Sequence, residues 1–269
     1  MLSIPRYFTT EDTHPFDAVA WEVGDVVIQG KDAPVFEARD VEFPAFWSQR
    51  ARDIVASKYF RVVKGEKETS ARQMIGRVCG TIMEWGMLDG YFDSTDGRIF
   101  HHELTYILLN QYAAFNSPVW FNVGVQECPQ ISACFTTNVE DSMESILEWY
   151  RAEGMIFKGG SGNGVNLSAI RPAGSPLSSG GVASGVMSFM KVADANAGAI
   201  KSGGSTRRAA AMRILNVDHP EIEAFIQCKV DAEKLAQLLL YNGFGNGIEG
   251  GAYDNVPWQN ANNSVSVPD

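Results

Sequence analysis

From Ser117 onward the chain alternates short apolar runs with helical patterns, and Gly and Ser become frequent. Alternation of this kind belongs to βα units, which bury a parallel sheet under helices. Ile131 to Thr137 reads as a short strand. Asp141-x-x-Glu144 is a capping-box signature, and Met143, Ile146, Leu147 and Tyr150 follow at helical spacing. Phe157 leads into Gly159-Gly160-Ser161-Gly162-Asn163-Gly164, and Val165 to Ile170 reads as the next strand. Between Gly180 and Ala199 a helix carries Val186, Phe189, Met190, Ala193 and Ala197 on one face. Ala209 to Val217 is apolar and strand-like. Asp218-x-x-Glu221 is a second capping box, with Pro220 near the start of its helix.

The segment before this has a different texture. Residues 1 to about 45 are polar, acidic and rich in Pro. Weak alternation from Asp17 to Gln29 predicts a short strand or hairpin, with Gly24-Asp25 at the turn. Pro44 begins a helical pattern through Phe46, Ile54, Val55 and Tyr59, which Gly65 stops. Ser70 is the expected N-cap of the next helix. Its apolar stripe is Ile75, Val78, Cys79 and Ile82, so Cys79 is read as a core residue. Leu104, Ile107, Leu108 and Tyr112 make a third helix that His101 and His102 open. Adjacent histidines point in different directions on a helix. They are read as surface or capping residues, and no metal site is expected. The first part, taken as 1–112, is a mostly helical packing module, and 113–269 is the α/β part.

Composition narrows the classes of function. The 32 acidic and 22 basic residues give a net charge of −10. A general grip on nucleic acid needs a basic surface and is not expected. No apolar run approaches the roughly 20 residues of a membrane span. The N-terminus has no charged segment followed by an apolar one, so secretion is not indicated. Cys79, Cys128, Cys134 and Cys228 show no C-x-x-C spacing. That argues against a zinc ribbon or a disulfide scaffold, and a reducing cytoplasm is the expected compartment.

Few motifs carry chemistry on their own. The Gly159 to Gly164 segment lacks the G-K-[ST] of a P-loop, and Val165 stands where a dinucleotide fingerprint needs its last glycine. Alone it reads as a tight turn that removes steric cover from the backbone. Lys201-Ser202-Gly203-Gly204-Ser205-Thr206-Arg207-Arg208 is either an anion-binding loop or a solvated surface loop. By composition Cys134 is a buried structural cysteine on a strand. Cys128 is exposed on a loop, and Cys228 is structural on a helix.

Six segments together point further. They are Ser117-Pro118-Val119-Trp120-Phe121-Asn122, Ser132-Ala133-Cys134-Phe135, Gly159-Gly160-Ser161-Gly162, Arg171-Pro172-Ala173-Gly174-Ser175-Pro176, the Gly203 to Ala210 loop, and Gln259-Asn260-Ala261-Asn262-Asn263-Ser264. In this order and spacing the chain resembles the catalytic chain of ribonucleotide reductases of the adenosylcobalamin-dependent (class II) type. The Phe46-Trp47 to Tyr59-Phe60 region and the lack of an obvious ATP-cone favour class II over the large subunit of an iron-dependent reductase.

The resemblance implies an α/β fold: a mostly helical N-terminal region followed by the first part of a ten-stranded barrel, incomplete in this chain. It implies radical reduction of ribonucleotides, with diphosphates the expected substrates and adenosylcobalamin as cofactor. It makes Cys134 the first reducing cysteine, and Ser117, Ala133, Gly162 and Arg207 substrate contacts. Asp141, Ser142 and Met143 match the start of an effector-binding helix, and Arg171 matches a ligand of the effector phosphates. The implied partners are a ribonucleotide, a deoxynucleotide effector, the remaining C-terminal part of the enzyme and a second copy in a homodimer. Cobalamin contacts are not assigned. The radical cysteine and the second reducing cysteine are expected beyond Asp269, so the chain alone is expected to be inactive. A non-catalytic nucleotide-binding module is the rival reading, and Cys134 discriminates, because such a module has no need of it.

Overall fold

The computed structural model describes residues 1–30, 33–178, 180–200, 210–245 and 251–268. Its contacts divide the chain into two units, Met1–Ile131 and Ser132–Asp269.

The first unit opens with a short 3-10 turn, Pro15–Ala18, and then a long antiparallel pair, β1 (Trp21–Gln29) and β2 (Pro34–Pro44). The expected turn at Gly24-Asp25 is instead a bulge inside β1, where the register shifts between Gly24 and Val26. A bulge satisfies the same local signal as a turn, namely a residue without a ladder partner. Helix α1 (Gln49–Ile54) is capped by Ser48 and continues as a wider π turn, Val55–Tyr59. The expected stop at Gly65 is the tip of a small hairpin, β3 (Val62–Val63) with β4 (Glu66–Lys67).

Helix α2 (Ala71–Leu88) starts where expected. The Ser70 side chain accepts the Arg72 amide, and Gln73 reaches back to the Ser70 amide. Ile75, Val78 and Cys79 are fully buried and pack with Val41, Phe43 and Leu109. Burial pushes the Cys79 thiol up to about 12. Helix α3 (Ser94–Leu109) begins well before the histidines, on an Asp93 cap that accepts the Thr95 and Asp96 amides. Gly97, a poor helix former, hid this start; it lets Met87 approach so closely that an added Cβ would lie 3.0 Å from the Met87 sulfur. His101 and His102 are therefore half-buried mid-helix residues, not surface openers. His14, from the turn before β1, joins them, with ring centroids 5.7 Å from His101 and 4.8 Å from His102. Helix α4 (Ser117–Asn122) closes the unit. Arg77 of α2 ties it down: the guanidinium forks onto buried Glu68 at 2.7 and 3.2 Å and donates to the Val123 and Trp120 carbonyls.

The second unit is the expected α/β layer. Its sheet is parallel, in the order β5 (Cys134–Thr137), β6 (Gly162–Asn166), β7 (Ala210–Asn216), β8 (Ala261–Ser266). Between the strands run α5 (Met143–Lys158), α6 (Val186–Ala199) and α7 (Ile222–Tyr241), with a 3-10 turn, Ala252–Asn255, before β8. One face buries Val165, Ala211, Arg213 and Leu215 among Ile146, Trp149, Val186, Met190 and Phe225 of the helices. The expected stripe of α6 is buried through Val186, Met190, Ala193 and Ala197. On α5 the stripe lies elsewhere: Met143 and Leu147 are exposed, and the buried line is Ile146, Trp149, Glu153 and Phe157.

At the centre of this face is an ion pair. Glu153 and Arg213 are both fully buried and meet bidentately at 2.5 and 2.8 Å. Asn163 donates to Glu153 at 3.0 Å, and the guanidinium lies 5.1 Å from the Trp149 ring centroid. α5, β6 and β7 are thereby keyed to one another.

Two outcomes follow for stability. Burial lowers the basicity of His14, His101 and His102, and His102, next to positive neighbours including Arg6 and Arg98, falls to about 4. Groups depressed in the folded state bind protons more readily when unfolded, so the stability they support is present above about pH 6.5 and is lost as pH falls toward about 4. Urea-unfolding midpoints should drop through that window, and His102→Gln should make the drop shallower; an unchanged slope would assign the loss to other groups. Separately, Glu153→Gln should cost about 3–5 kcal/mol in denaturant unfolding, because it strands a buried guanidinium. Glu153→Leu combined with Arg213→Met should cost clearly less than the single change.

Candidate functional site

Alternate residues of a strand face opposite sides of its sheet. With Val165, Arg213 and Leu215 under the helices, the opposite face carries Cys134 and Thr136, Gly162 and Gly164, Ala210 and Met212, and Asn262 and Ser264. Cys134, Thr136, Ala210, Met212, Asn262 and Ser264 are exposed. The composition-based reading of Cys134 as buried is therefore corrected. It is the first residue of β5, on the face left uncovered by the helices among the described residues, and its thiol is free and exposed.

Its neighbour in the ladder is Gly162. A Cβ there would sit 2.9 Å from the Ala210 carbonyl oxygen and 3.3 Å from the Ala210 Cβ, so no side chain fits between these strands at that level. The glycine segment is not the loop its sequence suggests. The amides of Gly159, Gly160 and Ser161 bond to Met155, Phe157 and Ile156 carbonyls, closing α5 with Gly160 at φ +84°. Gly162 donates to the Ala133 carbonyl at 2.7 Å and is already in β6. With these amides satisfied, the segment offers no amide cradle for an anion. Beside Cys134, Gly162 is buried and lets the backbones of β6 and β7 approach closely.

β8 is held to the sheet by groups whose role is only visible in three dimensions. Asp194 of α6, buried, accepts the Trp258 and Asn260 amides at 2.8 and 3.0 Å. Lys229 of α7 donates to the Trp258 and Ala261 carbonyls. Asn263 turns inward and donates to the Phe225 carbonyl and to the Cys228 sulfur. This leaves Asn262 and Ser264 on the uncovered face. Cys228 is buried on α7, as expected, and its thiol is pushed up by burial.

A second cluster lies at the other end of the strands. Asp141 is not the cap of α5; that is Ser142, which accepts the Ser145 amide at 3.2 Å, and Met143 is the exposed first helical residue. Asp141 instead holds Arg171, accepting from its Nε at 2.5 Å and its backbone amide at 3.2 Å. Arg171 keeps 39% of its side chain exposed. It lines a cleft of about 320 Å³ with Ser168, Asn216, Asp218 and His219, between the turns that follow β6 and β7. His219 is fixed by both ring nitrogens, to the Ile170 carbonyl and the Glu221 amide.

Glu221 is also misread by its local pattern. Rather than completing a box on α7, its carboxylate accepts the Ala173 and Val186 amides and so caps α6. Gly185 permits this with φ +79°; a Cβ there would lie 2.5 Å from the Ala173 nitrogen. No local spacing could reveal this cap, because its partners lie 48 and 35 residues away.

In the first unit, Ser117 opens α4, with its hydroxyl 3.1 Å from that of Tyr59. Arg207, and the loop from Lys201 to Arg208, lie outside the described residues. Native alkylation read by mass spectrometry should label Cys134 and Cys128 rapidly and leave Cys79 and Cys228 unmodified. Equal labelling of Cys79 would contradict the fold of the first unit.

Comparison with known proteins adds the following. Residues 132–269 match the family model described as ribonucleotide reductase, barrel domain, and residues 25–111 match that of class II vitamin B12-dependent ribonucleotide reductase. A vitamin B12-dependent ribonucleotide reductase of Streptomyces coelicolor is 55% identical over 100% of this chain and 28% of its own length. One from Rhodopirellula baltica is 44% identical over 95% of this chain and 28% of its own. A vitamin B12-dependent ribonucleoside-diphosphate reductase of Thermoplasma acidophilum is 35% identical over 64% of this chain and 23% of its own. The chain thus spans under a third of the length of these relatives.

Proposed function

The chain belongs to the class II, vitamin B12-dependent ribonucleotide reductase family, and on that premise we propose that it supplies one wall of a site that reduces ribonucleotides to deoxyribonucleotides. The observation that carries this reading is Cys134: an exposed thiol on the uncovered face of a parallel sheet, beside a position that admits no side chain. A thiol needed only for packing would be buried, like Cys79.

In this reading β5 to β8 are the first part of a ten-stranded barrel, and the uncovered face is its interior. Cys134 is one of a pair whose partner lies in the remaining part of the enzyme. The pair gives up two hydrogens, the 2′ oxygen leaves as water, and the sulfurs are left as a disulfide. Gly162 and Ala133 border the nucleotide through their backbone, and Ser117 and Arg207 contact the substrate. The name of the Thermoplasma relative supports a diphosphate.

Adenosylcobalamin, when bound, supplies the radical that starts the reaction. Among the described residues the face around Cys134 carries a thiol, hydroxyls, an amide, glycines and the small apolar patch of Ala210 and Met212. That set suits a nucleotide. It has no feature shaped to grip a corrin, so no residue of this chain is assigned to hold the cofactor.

The Asp141–Arg171 cluster is proposed as the effector site, with Ser142 and Met143 beside it on α5. Arg171 would exchange Asp141 for the phosphates of a deoxynucleotide. A homodimer built on the exposed start of α5, in the cytoplasm, completes the reading.

In an enzyme containing this chain, supplied with adenosylcobalamin and a dithiol, Cys134→Ser should abolish deoxynucleotide formation and leave deoxynucleotide binding in equilibrium dialysis unchanged. Arg171→Ala should weaken that binding by about tenfold or more, the scale of one charge-assisted hydrogen bond. Full turnover by the Cys134→Ser enzyme would remove the catalytic reading and leave a nucleotide-binding module.

A further inference from the structure

We propose that His14, His101 and His102 form a binding site for a divalent first-row transition ion of the zinc type. Three of the chain's four histidines converge there, from two separate segments. One ligand atom from each ring lies within 4.8 Å of the others. The fourth histidine, His219, is fully engaged elsewhere by its two ring bonds.

The adjacency of His101 and His102 argues against a shared ion only while α3 is considered alone. Their ring centroids are 6.0 Å apart, and His14 lies near both, at 5.7 and 4.8 Å. The turn before β1 thus supplies the ligand that the helix cannot. Three imidazoles with no thiolate among them suit zinc, nickel or copper better than calcium or magnesium, which prefer oxygen. Three protein ligands also leave a position for water or an exogenous ligand, the pattern of an open site.

The surroundings set the affinity. Asp17 favours positive charge near His14, whereas Arg72 opposes it, and Arg6 and Arg98 oppose it near His102. Arg6 also approaches the His102 Nδ1 at 3.4 Å. His14 Nδ1 accepts the Phe16 amide at 3.2 Å, so this ring can ligate only by giving up that bond, through either nitrogen. Ion binding should therefore be moderate in strength and should disturb the Pro15–Ala18 turn.

The test uses the full chain and zinc chloride. Long-range proton–nitrogen spectra of the imidazoles should show His14, His101 and His102 shifting together at one equivalent of zinc, with His219 unmoved. This reads the wild-type chain and needs no variant to fold. Calorimetric titration in a Cys128→Ser, Cys134→Ser background, which removes the exposed thiols, should give one ion per chain. Even an outer-shell partner of a metal ligand is worth about 10–100-fold in affinity. His14→Gln and His101→Gln should each weaken binding by at least that much. Absence of imidazole shifts at excess zinc would overturn the proposal, as would binding of unchanged affinity in folded His14→Gln and His101→Gln variants.

Discussion

Each unit of this chain is built around a guanidinium out of water. In the second, Arg213 and Glu153 have no solvent exposure at all and meet as a fork. A buried charge is tolerable only if paired and hydrogen-bonded with good geometry. The requirement fixes a helix against a central strand, and Asn163 extends it to the next strand. In the first unit Arg77 does the same work with Glu68, adding two carbonyls of the α4 region. An apolar core of similar size could settle in several registers; a fork–fork pair is satisfied in one. The uncovered face inherits this precision, because β6 and β7 are clamped from behind by the pair whose opposite side carries Gly162 and Ala210.

The sequence was readable where the deciding contacts are local. The Ser70 cap, the α2 stripe with Cys79 inside it, the α6 stripe and the βα alternation all rest on spacings of a few residues. It misled where a local signal has two solutions. Gly24-Asp25 makes a bulge and not a turn, and the glycines after α5 end a helix and begin a strand within four positions. It was silent where the partner is remote. Nothing near Glu221 indicates that it caps α6. Nothing near His101 points to His14, 87 positions earlier in the chain.

The candidate site divides along the same line. Asp141 and Arg171 are separated by 30 residues, and each alone looks like a surface charge. Only the turn after β6 brings them together. Cys134 was mistaken for a core residue because a short apolar run says strand without saying which side of it is covered. The motif segments of the family resemblance single out these same residues, and their roles stand as proposals. What the structure adds is the surroundings of each: an exposed thiol, a glycine whose added Cβ would clash with Ala210, an arginine held by one carboxylate.

The strand order carries a consequence for how the unit is made. Each strand after β5 pairs with the one immediately before it in the chain. A chain leaving the ribosome therefore presents its strands in the order in which they dock, and the sheet can grow at one edge without waiting for a distant segment. Glu153 emerges before its partner and is met first by Asn163, on β6. Arg213 arrives one strand later and closes the fork. The charge that would be most costly to bury unpaired is thus sealed from water only when the strand that neutralises it is added.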